Sequence, residues 1–175
     1  MERKVVTHTF PPFFDENSKI LILGSIPSVV SREEGFYYMH PSNRFWKVLA
    51  TLYEEEVPET ISLKKKFLTR HQIALWDVIA SCRIHASSDA SITDVQVNDI
   101  SSLLAKTKVK RIFVTGKRAY ELYQRYLYPV VKKEAILLPS PSSANASCSF
   151  DYLVQAYSIL REENVSWWFY QFNKR

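Results

Sequence analysis

Short apolar runs that alternate with segments of helical spacing constrain the fold of this chain more than any other feature. The runs lie at residues 19–24, 73–79, 109–116 and 135–138. Consecutive apolar residues of this length are typical of strands buried on both faces of a parallel sheet. Apolar residues recur at helical spacing over 43–52, 63–70, 98–104, 117–127 and 150–162. The alternation predicts an α/β protein, a three-layer α/β/α sandwich with a central, mainly parallel four-stranded sheet.

Three predictions concern the connections and the end of the chain. Ser42 is predicted to cap a helix that begins at Asn43, because serine is a preferred N-cap residue. The polar stretch from Ser81 to Thr93 is predicted to be a loop. The aromatic tail at residues 167–170 is predicted to pack against the domain.

Length and composition indicate one globular domain over residues 1–175, with 46% hydrophobic and 23% charged residues. No apolar run approaches the about 20 residues needed to cross a bilayer, and no secretory signal is visible, so a cytoplasmic protein is expected. Cys82 and Cys148 lie far apart, and neither they nor the histidines show the spacing of metal ligands. We therefore predict no metal site.

Charge and aromatic content favour a nucleic-acid partner over other ligands. The net charge is +5, and 14% of the residues are aromatic. Between Lys106 and Lys133 there are nine Lys or Arg residues, with Glu121 as the one acidic residue. A soluble domain with an aromatic core and a solvated basic face is the alternative interpretation.

Ligands of parallel α/β sheets bind beyond the carboxyl ends of the strands, so the post-strand segments are the places to look for a site. The first segment contains G-S-I-P-S at residues 24–28 and F-Y-Y-M-H-P-S-N-R-F-W at 36–46. Three successive aromatic residues in a loop suit stacking on a flipped nucleobase. Alternatively, these rings plug the edge of the sheet.

The segment after the fourth run is rich in small residues and contains two prolines. It reads L-P-S-P-S-S-A-N-A-S over residues 138–147. Proline stiffens a loop, and small side chains let its backbone approach another molecule closely. We expect this loop to contact the DNA backbone and the minor groove, the alternative being a surface turn before the last helix.

Together these three motifs resemble the uracil-DNA glycosylase superfamily. The similarity runs from about residue 19 to residue 160 and is greatest to the hypoxanthine (deoxyinosine) DNA glycosylases, then to the mismatch-specific uracil-DNA glycosylases. A-L-W-D-V at 74–78 and V-T-G-K-R-A-Y at 114–120 add to it. The resemblance implies a monofunctional enzyme that hydrolyses the N-glycosidic bond of a damaged base in DNA, without metal or organic cofactor.

Three residues are candidates for the chemistry, and the resemblance implies the role of the first of them. Asn43 is expected to contact the base or to position the attacking water, and its alternative role is a local bond in the first helical turn. Ser25 is expected to bond the base or the water, or merely to stabilise its loop. Asp77 is expected to stabilise an oxocarbenium-like sugar, as carboxylates do in glycoside hydrolysis, or to cap the following loop.

The remaining site predictions fall into two groups. The residues expected to surround the base are Gly24, Ile26, Pro27, Phe36, Tyr37, Tyr38 and His40. The residues expected to contact DNA are Ser140, Pro141, Ser142, Ser143, Asn145, Lys117 and Arg118.

The substrate is expected to be a deaminated base, chiefly hypoxanthine. The first motif carries Ser25 and no carboxylate, and the second carries Ser140, and both differ from the uracil-specific branches. Excision of uracil or xanthine through the same pocket is one alternative. An inactive nucleic-acid-binding member of the fold is the other. No oligomer is expected.

Overall fold

A four-stranded parallel sheet forms the centre of the protein in the computed structural model, which describes residues 3–85 and 91–162. The described residues form seven strands, which are β1 Lys4–Thr7, β2 Ile20–Gly24, β3 Ile73–Asp77, β4 Ile79–Ile84, β5 Thr93–Val97, β6 Arg111–Thr115 and β7 Ala135–Leu138. The parallel sheet has the order β3-β2-β6-β7. The predicted packing of the aromatic tail lies outside the described residues.

Seven α-helices connect these strands in the described part of the chain. They are α1 Val29–Glu34, α2 Phe45–Leu52, α3 Ile61–Arg70, α4 Ile100–Ala105, α5 Lys117–Leu122, α6 Tyr128–Val131 and α7 Phe150–Tyr157. A π-helical turn at Tyr123–Leu127 continues α5, and a 3₁₀ turn at Ser158–Arg161 continues α7. None of the helices in residues 3–85 and 91–162 is long and apolar enough to span a membrane.

Alternate side chains of the parallel strands build two separate cores. Ile20 and Ile22 of β2 pack on one face with α2 and α7, whereas Leu21 and Leu23 pack on the other face with α4 and α5. Side chains on successive strand positions point to opposite faces, which explains why consecutive residues in the middle of these runs are apolar. The sheet with helices on both faces confirms the predicted α/β class.

The predicted loop from Ser81 to Thr93 is wrong at both of its ends. Strand β4 occupies Ile79–Ile84, and β5 begins at Thr93. With β1 they form an antiparallel sheet of order β1-β4-β5. The side chains of β5 alternate between half-buried and exposed, so this strand reads as polar in the sequence.

Helix boundaries differ from the prediction at α2 and α4. Helix α2 begins at Phe45, two residues after the predicted start, and Asn43 Oδ1 accepts the Phe45 backbone N–H at 2.9 Å. Helix α4 begins at Ile100, two residues after the start of the predicted segment 98–104, and Asp99 caps it by accepting the Ser102 backbone N–H. The Asn98 amide is instead buried and donates to the carbonyls of Asp77 and Ile79.

Candidate active site

A cleft of about 680 Å³ opens at the carboxyl edge of the parallel sheet. Strands β2, β3 and β6 end there at Gly24, Asp77 and Thr115. The chain passes from β2 to β3 on one side and later returns to β6 on the other side, so the cleft lies at the point where strand order reverses. The predicted residues that line it are Gly24, Ser25, Ile26, Pro27, Tyr37, Tyr38, His40, Asn43, Asp77, Ser140, Pro141 and Ser142.

Gly24 allows the Asp77 carboxylate to reach the cleft. The two residues are register partners at the ends of β2 and β3. A Cβ atom on Gly24 would lie 2.5 Å from Asp77 Oδ1 and 3.5 Å from the Tyr38 hydroxyl. The missing side chain therefore leaves the space that this carboxylate oxygen occupies.

We expect Gly24→Ala to lower the free energy of unfolding by about 1–3 kcal/mol, because the added methyl group meets the Asp77 carboxylate. Urea denaturation measures this change. The same substitution made in an Asp77→Ala background should cost much less, because the colliding oxygen is then absent. An equal cost in both backgrounds would contradict a clash between these two residues.

Asp77 is buried and bonded to a residue that the sequence prediction missed. Its Oδ2 lies 2.8 Å from His8 Nε2, and the two side chains are 6% and 4% exposed. They are 69 positions apart in the sequence, so they form no local motif. The apolar run Val5-Val6-Thr7 before His8 is β-prone and is the one signal in the sequence that could have placed this histidine at a sheet.

Tyr38 has a fixed position at the cleft wall. Its ring stacks on Phe45 with centroids 3.8 Å apart, and its hydroxyl lies 3.2 Å from Thr115 Oγ1. The backbone is left-handed, with φ of 54°, which costs a non-glycine residue of order 1–3 kcal/mol. Strain of this kind is found at functional sites, where the surrounding packing holds it.

Tyr37 also borders the cleft, but its side chain is 2% exposed and its hydroxyl donates to the Pro11 carbonyl at 3.1 Å. Burial raises the pKa of both the Tyr37 and Tyr38 phenols well above the usual value, and the negative charge of Asp77 raises it further. Both hydroxyls therefore remain protonated. Of the two rings, Tyr38 is the more accessible.

Phe36 lies in the core and does not line the cleft. It is 3% exposed and stacks on Trp46, with centroids 6.1 Å apart. The Trp46 indole N–H donates to the Tyr37 carbonyl at 3.1 Å, which fixes this aromatic stretch against α2. The sequence left open whether these aromatic residues stack on a base or pack in the protein. Phe36 packs in the core, whereas Tyr38 faces the cleft.

Asn43 presents an amide group to the cleft. Its Oδ1 accepts the Phe45 N–H, and its own backbone N–H donates to the His40 carbonyl at 2.9 Å. Within residues 3–85 and 91–162, no protein group accepts a hydrogen bond from its Nδ2. The helix start thus fixes one end of the amide and leaves its N–H groups for a ligand.

His40 lies at the exposed rim of the cleft. Its Nδ1 accepts the Ser42 backbone N–H at 3.2 Å and lies 2.7 Å from the Ser42 hydroxyl. The proton of the neutral imidazole is therefore on Nε2, which can donate to a base or a phosphate. Ser25 and Ile26 form the half-buried part of the opposite rim.

The loop of residues 139–148 closes one side of the cleft, and Arg44 holds it in place. Arg44 makes five hydrogen bonds to four carbonyl groups of this loop, which belong to Pro141, Ser142, Asn145 and Cys148. The sequence prediction did not assign Arg44 a role. Its guanidinium donates hydrogen bonds to the backbone carbonyls of the loop.

Four of the predicted DNA-contacting residues do not line the cleft. Ser143 bonds the Ser42 hydroxyl at 2.9 Å, and Asn145 Nδ2 donates to the Ser140 carbonyl at 3.1 Å. Lys117 and Arg118 begin α5 at the same sheet edge. Lys117 is exposed, but Arg118 bonds Glu121 and the Ile92 carbonyl.

The cleft also has neighbours that the sequence prediction did not name. Ser28, Val29, Val30, Ser31 and Arg32 belong to α1 or its cap, and Ile84, Thr115 and Ala144 complete the lining. Helix α1 was read as part of a loop because it is only six residues long. No group of three or more His, Cys, Asp or Glu side chains suited to a metal occurs in the described part of the chain.

A parallel α/β sheet with a cleft at the strand-order reversal defines a protein that binds a ligand at the carboxyl edge. The family model of the Uracil DNA glycosylase superfamily matches residues 11–161. The chain therefore belongs to this superfamily.

Relatives and a solved structure resemble the chain over most of its length. Hypoxanthine DNA glycosylase of Methanosarcina barkeri is 37% identical over 139 residues, which are 78% of this chain and 86% of that protein. Hypoxanthine DNA glycosylase of Methanosarcina acetivorans is 36% identical over 81% and 89% of the two chains. A G/U mismatch-specific uracil DNA glycosylase of Schizosaccharomyces pombe is 31% identical over 63% of this chain and 35% of its own.

The structural comparison gives the same assignment. The solution NMR structure of a candidate uracil DNA glycosylase from Methanosarcina acetivorans superimposes with a TM-score of 0.74 and 33% identity. The match covers 91% of this chain and the whole of that chain. The resemblance inferred from the motifs is thereby confirmed.

Proposed function

We propose that the protein is a monofunctional DNA glycosylase that hydrolyses the N-glycosidic bond of a flipped deaminated base, chiefly hypoxanthine. The observation that carries the proposal is the Asn43 amide, held by the start of α2, facing the same cleft as the Asp77 carboxylate. The cleft volume of about 680 Å³ lies within the range typical of small-molecule sites. The two hypoxanthine DNA glycosylases among the relatives support this choice of base.

The Asn43 amide fits the edge of hypoxanthine. This base presents an O6 acceptor next to an N1–H donor, and an amide offers a donor and an acceptor at the same spacing. The donor is Nδ2, and Oδ1 keeps a second lone pair beside its bond to Phe45. An amide has no useful basicity, so Asn43 acts by orienting the base or the water and by stabilising developing charge.

Asp77 acts on the sugar. In the reaction the water oxygen forms a bond to C1′ and the water releases one proton, while the C1′–N9 bond breaks; the bonding electrons leave with the base, which takes up one proton in return. Positive charge builds on the sugar in the transition state, as in glycoside hydrolysis. A buried carboxylate at the end of β3 stabilises that charge, since few water molecules screen it. Ser25 bonds the base or the water from the rim.

The proposal includes the segments that hold DNA. The loop of residues 139–148 lies beside the cleft, and small side chains at Ser142 and Ala144 let its backbone approach the duplex. Lys117 is exposed near the cleft and suits a phosphate. The basic residues at 106–111 and 132–133 precede β6 and β7, so they lie toward the opposite edge of the sheet. We also expect one domain over residues 1–175, a monomer, and a cytoplasmic location.

Duplex oligonucleotides that carry one deoxyinosine, deoxyuridine or deoxyxanthosine test the function, with alkaline cleavage to reveal abasic sites. We expect the fastest cleavage at deoxyinosine and none in an undamaged duplex. Faster cleavage at deoxyuridine or deoxyxanthosine would move the preference to that base. No cleavage of any duplex, with DNA binding retained in a mobility-shift assay, would overturn the enzyme assignment in favour of a binding protein.

A further inference from the structure

His8 enters the site from the antiparallel sheet. It directly follows β1, and its backbone N–H donates to the Ala80 carbonyl at 2.7 Å, which anchors the main chain beside β4. Its ring packs against Phe10 and Tyr37, with centroid distances of 4.6 and 6.0 Å. The ring does not line the cleft. Any effect that it has on a ligand must therefore pass through its neighbours Asp77 and Tyr37, and Asp77 is the one that it hydrogen-bonds.

The two oxygens of Asp77 have different surroundings. Oδ2 lies 2.8 Å from His8 Nε2, whereas Oδ1 lies above Gly24. An ionised carboxylate only accepts hydrogen bonds, so the Nε2–H of His8 is the donor. Burying a carboxylate away from water costs free energy unless the carboxylate is hydrogen-bonded. His8 supplies this hydrogen bond to Oδ2.

We propose that His8 is a positioning residue for base excision, which holds the buried Asp77 carboxylate in the orientation that stabilises the sugar cation. The proposal rests on the glycosylase function and on the role given to Asp77 above. The bond fixes one oxygen and thereby the direction of the other. Because His8 itself does not line the cleft, its loss changes the chemical step and leaves the affinity for DNA almost unchanged.

The alternative is that the pair only joins β1 to the central sheet. Glutamine and asparagine separate the two, because the amide nitrogen of His8→Gln reaches the position of Nε2, whereas the shorter side chain of His8→Asn does not. Both replacements carry a carboxamide group and differ by one methylene group in length. A structural tie alone would change thermal stability without changing the single-turnover rate of the folded protein.

The experiment measures single-turnover excision of hypoxanthine from a deoxyinosine duplex at saturating enzyme, with DNA affinity and thermal melting recorded for each variant. His8→Asn should lower the rate by about 10- to 100-fold, the range found when groups that orient a functional side chain are removed. His8→Gln should restore most of the rate. The apparent dissociation constant for DNA should stay the same in both.

The chain offers a matched control pair away from the cleft. His71 Nε2 lies 2.6 Å from Glu55 Oε1, and neither residue lines the cleft. His71→Asn should lower the melting temperature and leave the excision rate of the folded protein unchanged.

Three outcomes would overturn the role of His8. They are a wild-type rate in His8→Asn, an equal loss in His8→Gln and His8→Asn, and a loss in His71→Asn as large as that in His8→Asn. If the wild-type protein excises none of the bases, the glycosylase proposal itself is rejected, which is a different result from a wild-type rate in the His8 variants.

Discussion

Replacement of Asn43 by alanine is expected to lower the single-turnover rate of hypoxanthine excision by about 10²–10³-fold, the usual effect of removing one preorganised polar group from a transition state. The amide is held in place before the substrate arrives, since its Oδ1 accepts the Phe45 N–H. Little reorganisation is needed when the base enters the cleft. Affinity for the duplex should change little, because most protein–DNA contacts are made to the backbone.

Alanine also removes the bond to Phe45, so a second variant must keep that bond. Asn43→Ser offers a hydroxyl that can still accept the Phe45 N–H but has no amide to meet the base. We expect Asn43→Ser to melt close to the wild-type temperature and to excise hypoxanthine as slowly as Asn43→Ala. A wild-type excision rate in either folded variant would remove Asn43 from the mechanism.

The sequence predicted the parallel sheet well because its strands are buried on both faces. Several apolar residues in succession leave few alternatives to a central strand, and β7 was predicted at its observed bounds, Ala135–Leu138. The antiparallel sheet was not predicted, because its strands face solvent on one side. In β5, Asp94 and Gln96 are exposed between half-buried neighbours, and such a short alternation resembles a polar loop.

The candidate site was predictable from the sequence where a site residue is the last residue of a strand. Gly24 and Asp77 end neighbouring parallel strands, so their meeting follows from the fold class alone. The bond between His8 and Asp77 was not predictable, because it joins two sheets whose relative position depends on the packing of the whole domain. A single buried histidine carries no spacing signal.

The consecutive aromatics show a second limit of sequence reasoning. Phe36, Tyr37 and Tyr38 are neighbours in the chain, yet one lies in the core and another forms the cleft wall. The left-handed backbone at Tyr38 produces this divergence, and no residue type requires it there. The motif located the site correctly but did not reveal the direction of each ring.

Arg44 connects the motif at residues 36–46 to the motif at residues 138–147 by hydrogen bonds. It follows Asn43 directly, and its guanidinium binds the loop that contains Ser142. The residue next to the amide is therefore hydrogen-bonded directly to the loop that closes the cleft. In a basic protein, an arginine beside a proposed DNA site suggests a phosphate contact. Here its hydrogen bonds are made to the protein, and it acts on DNA only through the shape of the loop.

Removal of the Arg44 guanidinium is expected to produce the largest loss of stability. Arg44→Met keeps most of the aliphatic stem but removes the four guanidinium hydrogen bonds to the loop carbonyls. Hydrogen bonds to charged groups contribute about 1.5–3 kcal/mol each, so we expect the free energy of unfolding to fall by at least about 3 kcal/mol. For a protein of this size, each kcal/mol lowers the melting temperature by about 2–4 °C.

Thermal melting of Arg44→Met and Arg161→Met tests this expectation. Arg161 is the matched control, because its Nη1 donates to one backbone carbonyl, that of Leu52, at 3.0 Å. Its loss should cost about 1.5–3 kcal/mol, the contribution of a single hydrogen bond to a charged group, and should leave excision intact. Arg44→Lys should recover only part of the stability, because one ammonium cannot reach carbonyls spread along the loop. Equal melting temperatures for Arg44→Met and the wild-type protein would show that other contacts hold the loop, whereas a fall well beyond that of Arg161→Met would establish Arg44 as the residue that builds this side of the cleft.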